Sequence, residues 1–412
     1  MKENVGGGAP RGVTVHAAHR SGDAVVPVLM FGTGITAIGV LRNLSRARVP
    51  VFTTVPDPNF VEKSRYHRRL LESAEQPPTP SSLREFLSTL SLSCAVLMPC
   101  SDDWALAIAR LDGPLALQFP SCLPQPDTIE TFTDKWRFAQ MLEAHALPHP
   151  ETALLSSMEA LERMPDSSFA NRFLKPLDSL TFSTRHKVKA FLIKDKASAV
   201  AVMRRGEDNG VTDFPIMLQD YVPGPPANHY FVDGFVDRND RVRALFVRRR
   251  LRMFPPLLGN STLMESVPPS EAEGAIDTIR RMFSALSYRG IFSAEFKRDE
   301  RDGVFKILEV NARPWWYVEF AARSGVDVCT MAYRDALGLP IETPRPYRAG
   351  RRCVYLVNDF KAYPFNGPGS AVEWLRSWFG ADETLFAFDD PWPGVAHFLG
   401  ALRARLQKAN AL

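Results

Sequence analysis

The stretch Phe292-Ser293-Ala294-Glu295-Phe296-Lys297, followed by Phe305-Lys306-Ile307-Leu308-Glu309-Val310-Asn311-Ala312-Arg313, decides the reading of this chain. Both segments read as strands. Between them lies Arg298-Asp299-Glu300-Arg301-Asp302-Gly303, a polar run with glycine that suits a hairpin turn. Pairing the strands can place Glu295 and Glu309 on one face, and alternation puts Asn311 and Arg313 on that face too. Two carboxylates and an amide oxygen suit Mg2+ beside nucleotide phosphates. An arginine next to them suits a developing negative charge. A solvated charged hairpin is the plainer alternative, but the apolar run before Glu309 and Pro314-Trp315-Trp316 after it frame a site.

Working outward, the order of elements is α/β. Val25 to Met30 reads as a strand, followed by Gly32-Thr33-Gly34 with Gly39, a helix to about Ala47 and a strand at Val49 to Val55. A third strand at Ala95 to Met98 ends in Ser101-Asp102-Asp103, ahead of a helix from Trp104. Polar residues there lie at the carboxyl edge of a parallel sheet, where ligands sit. Asp102 and Asp103 suit an ammonium group or a helix cap. The glycines read first as a tight strand–helix turn contacting substrate; with Asp57 they leave a dinucleotide site as the lesser reading, with Ala37 in the third glycine's place.

Later segments supply cations and a strand that stops short. Lys135 opens a helix, where an anion is favoured. Lys175 stands inside the apolar strand Asn171 to Pro176 and suits phosphate oxygens or a snorkelling role. Gln219-Asp220-Tyr221-Val222 ends at Pro223-Gly224, so its backbone and side chains could meet an adenine edge. Arg248 and Arg250 should point one way and Arg249 the other; an exposed sheet face is the slightly favoured reading, a phosphate or carboxylate site the other. Gly259-Asn260-Ser261-Thr262 reads as a substrate-side loop. His149, His186 and His229 receive no catalytic role, and the tail past residue 346 receives none either.

Composition bounds the rest. The 412 residues are 45% hydrophobic and 23% charged with a formal net charge of +4, a globular balance with too little charge excess for a nucleic-acid partner. Length implies two or three domains. Five scattered cysteines without CxxC spacing argue against zinc and against a disulfide framework and point to a reducing cytoplasm. The first 24 residues read as a disordered lead-in, and no apolar run is long enough to span a membrane, so no membrane partner is expected.

Read in order, these pieces resemble the ATP-grasp superfamily of ligases, in particular predicted ATP-dependent carboligases and carboxylate–amine ligases. The resemblance implies a Rossmann-like lead domain (25–130), an ATP-grasp domain (131–345) with an α+β lid at about 150–222, and an extension over 346–412. It implies ATP and Mg2+, with Mn2+ as a substitute. Lys135 and Lys175 would contact phosphates, and Gln219, Asp220, Tyr221, Val222 and Asn228 the nucleoside. Glu295, Glu309 and Asn311 would hold metal, and Arg313 with Lys175 would serve catalysis. The implied reaction is ADP-forming ligation of a small-molecule carboxylate to an amine, in a chain that can form a homo-oligomer. An ATP-binding regulatory module without turnover is the alternative. The chain departs from the family's pattern in having Gln219 where Glu is common, Asn228 where an acid holds ribose, and no glycine in the lid stretch Asp178 to Ser183.

Overall fold

The computed structural model describes residues 25–70, 73–75, 78–177, 188–208, 214–363 and 370–409. The expected lead-in and the lid stretch 178–183 fall outside these residues. Three sheets organise the chain. Strands β1 (Val28–Phe31), β2 (Val51–Thr53) and β3 (Val96–Pro99) are parallel in the order β2-β1-β3. Strands β4 (Thr152–Leu155), β5 (Arg172–Pro176), β6 (Phe191–Ile193) and β7 (Ile216–Asp220) form an antiparallel sheet ordered β4-β7-β5-β6. The largest sheet holds β8 (His229–Val236), β9 (Val242–Phe254), β10 (Asn260–Ser266), β11 (Gly290–Arg298), β12 (Phe305–Asn311), β13 (Arg352–Val354) and β14 (Asp382–Glu383). Its order is β12-β11-β8-β9-β10-β13-β14.

The parallel sheet forms because its strands are apolar throughout and are covered by helices. All four residues of β1 and of β3 are buried. Gly32 marks where β1 must pass β3: its φ is +126°, and a Cβ there would lie 2.9 Å from the Cβ of Cys100. Gly39 lets the helix Gly34–Arg46 approach Val318, whose Cγ1 would be 2.8 Å from an added Cβ. The helix Glu273–Leu286 buries Ala275, Ile276, Ile279, Met282 and Phe283 at helical spacing. With Tyr288 and Phe292 these join the lead sheet's Phe31 and Trp104 in one core. The four-stranded sheet has a separate core built from Leu155, Phe169, Leu174, Ile193 and Leu218.

Two expectations change. Asn260 to Thr262 is not a loop: it begins β10, an inner strand held between β9 and β13. The tail is part of the large sheet, because β13 pairs with β10 and β14 pairs parallel to β13. Its seams are charged. Arg252 of β9 meets the fully buried Asp359 at 2.9 and 2.6 Å, and Thr262 and Trp378 also donate to that carboxylate. Arg42, fully buried in the first helix, meets Asp390 at 2.9 Å and Glu319 at 3.0 Å. A buried guanidinium needs such saturation, since desolvation otherwise exceeds what one partner returns.

Candidate active site

The hairpin is tight because Asp299 organises its turn. The Asp299 N–H donates to Val304 O and its carboxylate accepts from Arg301 and Lys306. Gly303, at φ +75°, takes the left-handed position. In the ladder Ser293 faces Asn311 and Glu295 faces Glu309; the register then slips, Phe296 facing Ile307, so that Leu308 is a bulge. The bulge precedes Glu309, so Glu309 and Asn311 keep their common face with Glu295.

The two carboxylates differ sharply. Glu295 Oε1 accepts from His229 Nδ1 at 2.8 Å and from Arg250 Nη2 at 3.0 Å. Burial pushes this carboxyl up, but the Arg250 charge and the His229 hydrogen bond outweigh that and hold it below the usual carboxylate range. His229 is itself driven down to about 4 by burial and by Arg250, so its ring is neutral and Nδ1–H is the donor. Glu309 has no hydrogen bond or ion pair among the described residues. It opens to solvent at the cleft, yet the protein around it withdraws enough water to raise its pKa, and the Glu295 charge raises it further. Lys189, from the chain just before β6, pulls the other way.

Lys175 and Lys135 come together here. Lys175 is lowered to about 8, first by burial and then by the Lys135 charge, with Glu309 and Glu295 opposing. Its Nζ donates to Gln219 Oε1, and Lys135 Nζ donates to Pro176 O at 3.0 Å. Asp134 caps the helix that Lys135 begins. The cleft therefore holds two carboxylates facing two ammonium groups, with an excess of negative charge at Glu309.

Of the expected nucleoside contacts, Val222 is buried and the Tyr221 ring stands edge-on to Phe173, with Lys297 Nζ 4.9 Å from its centre. Lys297 lies two residues beyond Glu295 on the same face, and burial followed by the Arg250 charge lowers it to about 8. Asp220 is paired to Arg301 at 2.7 Å, and the Asn228 amide donates to Arg298 O at 3.0 Å. Both side chains are thus used in fixing the hairpin to β7 and to the loop after it.

Arg313 is held from the start of the helix that follows β3. Its Nε and Nη2 donate to the Asp102 carboxylate at 2.9 and 2.7 Å, and Nη2 reaches Asn311 Oδ1 at 2.9 Å. Asp102 is therefore neither a free ammonium receptor nor the helix cap; Ser101 caps that helix. Asp57 accepts from the Gly34 N–H at 2.7 Å and from Phe60 N, which leaves its carboxylate turned onto backbone and not toward a ribose. The basic strand is not an exposed face. Arg248 pairs with buried Asp233 at 2.6 Å, and Arg250 donates to Ser261 and Glu295. Arg249 points the other way, to Glu265. His229 and Arg250 pin Glu295; sequence reasoning left His229 without a role and offered Arg250 a phosphate or carboxylate site only as its second reading. The alternation in β9 was the only signal for Arg250, and no local signal marks His229.

Hard oxygen donors in this set fit a divalent cation: both oxygens of Glu309 and Glu295 Oε2 make no bond among the described residues, and burial first and the Glu295 charge second raise the Glu309 pKa.

No family model matches the chain. It is similar to D-aspartate ligase of Enterococcus faecium, 23% identical over 248 residues that make up 58% of each protein. The match thus spans little more than half of that relative's length. Among solved structures, the L-amino acid ligase from Bacillus licheniformis shares the fold with a TM-score of 0.56 at 12% identity, over 80% of this chain and 79% of that one. Biotin carboxylase from Campylobacter jejuni, in a complex with β,γ-ATP, does so with a TM-score of 0.59 at 14% identity, over 79% and 74%. The likeness to these structures is one of fold: a parallel three-stranded sheet, a four-stranded sheet with its own core and a seven-stranded sheet carrying the acidic hairpin make up an ATP-grasp fold.

Proposed function

We propose that the protein is an ADP-forming, Mg2+-dependent ligase that joins a carboxylate to an amine through an acyl phosphate. The observation that carries this reading is the register of β11 and β12, which sets Glu295 opposite Glu309 beside Asn311, Arg313 and the two lysines. Glu309, Glu295 and Asn311 would hold the metal, which supplies charge neutralisation on phosphate oxygens. Lys175 and Lys135 would bind phosphate charge, and Tyr221 and Val222 would face the nucleoside. In the reaction, a carboxylate oxygen of the substrate attacks the γ-phosphorus and ADP leaves. The amine then attacks the acyl carbon and inorganic phosphate leaves. Arg313, oriented by Asp102, faces the charge that builds on the acyl oxygen.

The name of the curated relative supports an amino acid as one substrate. Residues 25–130 would serve as the lead domain, 131–345 as the ATP-grasp domain with its lid at about 150–222. Five free cysteines favour a reducing cytoplasm; among the described residues no helix is long and apolar enough to cross a membrane. A nucleotide-binding module without turnover is the second reading, favoured by the engagement of Asp220 and Asn228 in structural contacts.

Product analysis with MgATP, pooled amino acids and pooled carboxylates tests the proposal. Acceptor-dependent release of ADP and phosphate is expected. AMP and pyrophosphate would overturn the acyl-phosphate route, and saturable ATP binding without turnover across the pools would favour the binding module.

A further inference from the structure

The helix Trp392–Ala409 carries an apolar face that the protein does not cover. Val395, Phe398, Leu399 and Leu402 recur at helical spacing, and the last three are 57%, 46% and 46% exposed. Phe388 and Trp392, just before and at its start, are 96% and 63% exposed. The opposite side of the helix is fixed. His397 meets the Tyr355 hydroxyl at 2.8 Å and packs its ring 5.4 Å from that of Phe60. Gly394 lies so close to Phe386 that a Cβ would fall 2.8 Å from its Cα. The free face is therefore presented by a docked helix.

Its charge is one-sided. From Pro391 to Leu412 the sequence contains Arg403, Arg405 and Lys408 and no acidic residue. The nearest acids before it are already paired: buried Asp390 with Arg42, Ser64 and the Arg65 N–H, and half-exposed Asp389 with Arg46 and Tyr66. They cannot offset the basic segment.

We propose that this helix seats the protein on an anionic lipid surface, lying in the plane of the headgroups. Aromatic and aliphatic side chains with arginines beside them suit that boundary, where apolar burial and attraction to anionic lipid add. The absence of a spanning helix does not bear on such peripheral seating. A two-fold contact with a second copy through the same face is disfavoured, because a segment with basic and no acidic residues would meet its own symmetry mate. The inference is independent of the proposed ligase chemistry.

The test is co-sedimentation of the full chain with vesicles of phosphatidylcholine containing phosphatidylglycerol, against phosphatidylcholine alone. The three cations that the segment contains in sequence predict a preference of roughly a hundredfold for the anionic vesicles, falling as salt is added. Phe398→Asp or Leu402→Asp should each weaken binding about tenfold or more, and Arg403→Glu should reduce the preference for anionic lipid. These side chains are exposed, so circular dichroism should stay unchanged. Failure to sediment with anionic vesicles, or sedimentation that none of these changes alters, would overturn the proposal. So would light scattering that finds a dimer which Phe398→Asp splits.

Discussion

At the scale of single residues, the contrast between Glu295 and Glu309 defines the cleft. Glu295 is pinned by two neighbours, while Glu309 faces its repulsion with no partner of its own among the described residues. Glu309→Gln should leave the fold intact and lower MgATP-dependent ADP release by about a hundredfold or more; unimpaired release would remove Glu309 from the metal set. Lys175 gives a pH prediction. Its folded pKa of about 8 lies below the ordinary 10.5, so between these values the unfolded chain holds a proton that the folded one has lost. Stability of the free protein therefore rises with pH across that window. Phosphate binding has the opposite sign, because it needs the ammonium form. ATP affinity measured by calorimetry should fall as pH passes about 8, by up to about tenfold per unit, and Lys175→Met should flatten that slope. The carboxylate pairing was legible because alternation is a property of the strand itself. His229 and Arg250 were not, because they come from β8 and β9, and the register that aims them at Glu295 lies 66 and 45 residues away.

At the scale of elements, the helices and strands with a clear period were readable to within a few residues. The hairpin, the helix Glu273–Leu286 and the βαβ opening all followed from spacing. Strand β10 was not legible, because Asn260-Ser261-Thr262 has the polarity of a loop. Its burial is created by what lies on it: Arg250 on Ser261, Asp359 on Thr262 and β13 along its edge. That makes Asp359 a test of the element. Asp359→Ala would leave Arg252 buried without its carboxylate and should destabilise the protein by about 3–5 kcal/mol in denaturant titration. A loss below about 1 kcal/mol would mean that water reaches Arg252 and that the seam is not sealed.

At the scale of the whole molecule, the tail that the sequence left without a role is fastened to the helix Gly34–Arg46. Arg42 is enclosed by Asp390, Glu319 and the carbonyls of Leu385 and Asp390. Arg42→Met should cost about 3–5 kcal/mol, since it leaves the buried Asp390 without its cation. It should also expose the segment around residue 385 to limited proteolysis; a tail equally resistant in the variant would show that β13 and β14 hold it alone. The Arg42 contact also sets an order in time. Asp390 emerges 348 residues after Arg42, on the order of tens of seconds at the usual pace of ribosomal synthesis. Through that interval the nascent lead domain carries a guanidinium for which its final burial is not yet available. The first helix therefore reaches its final burial only after Asp390 has left the ribosome.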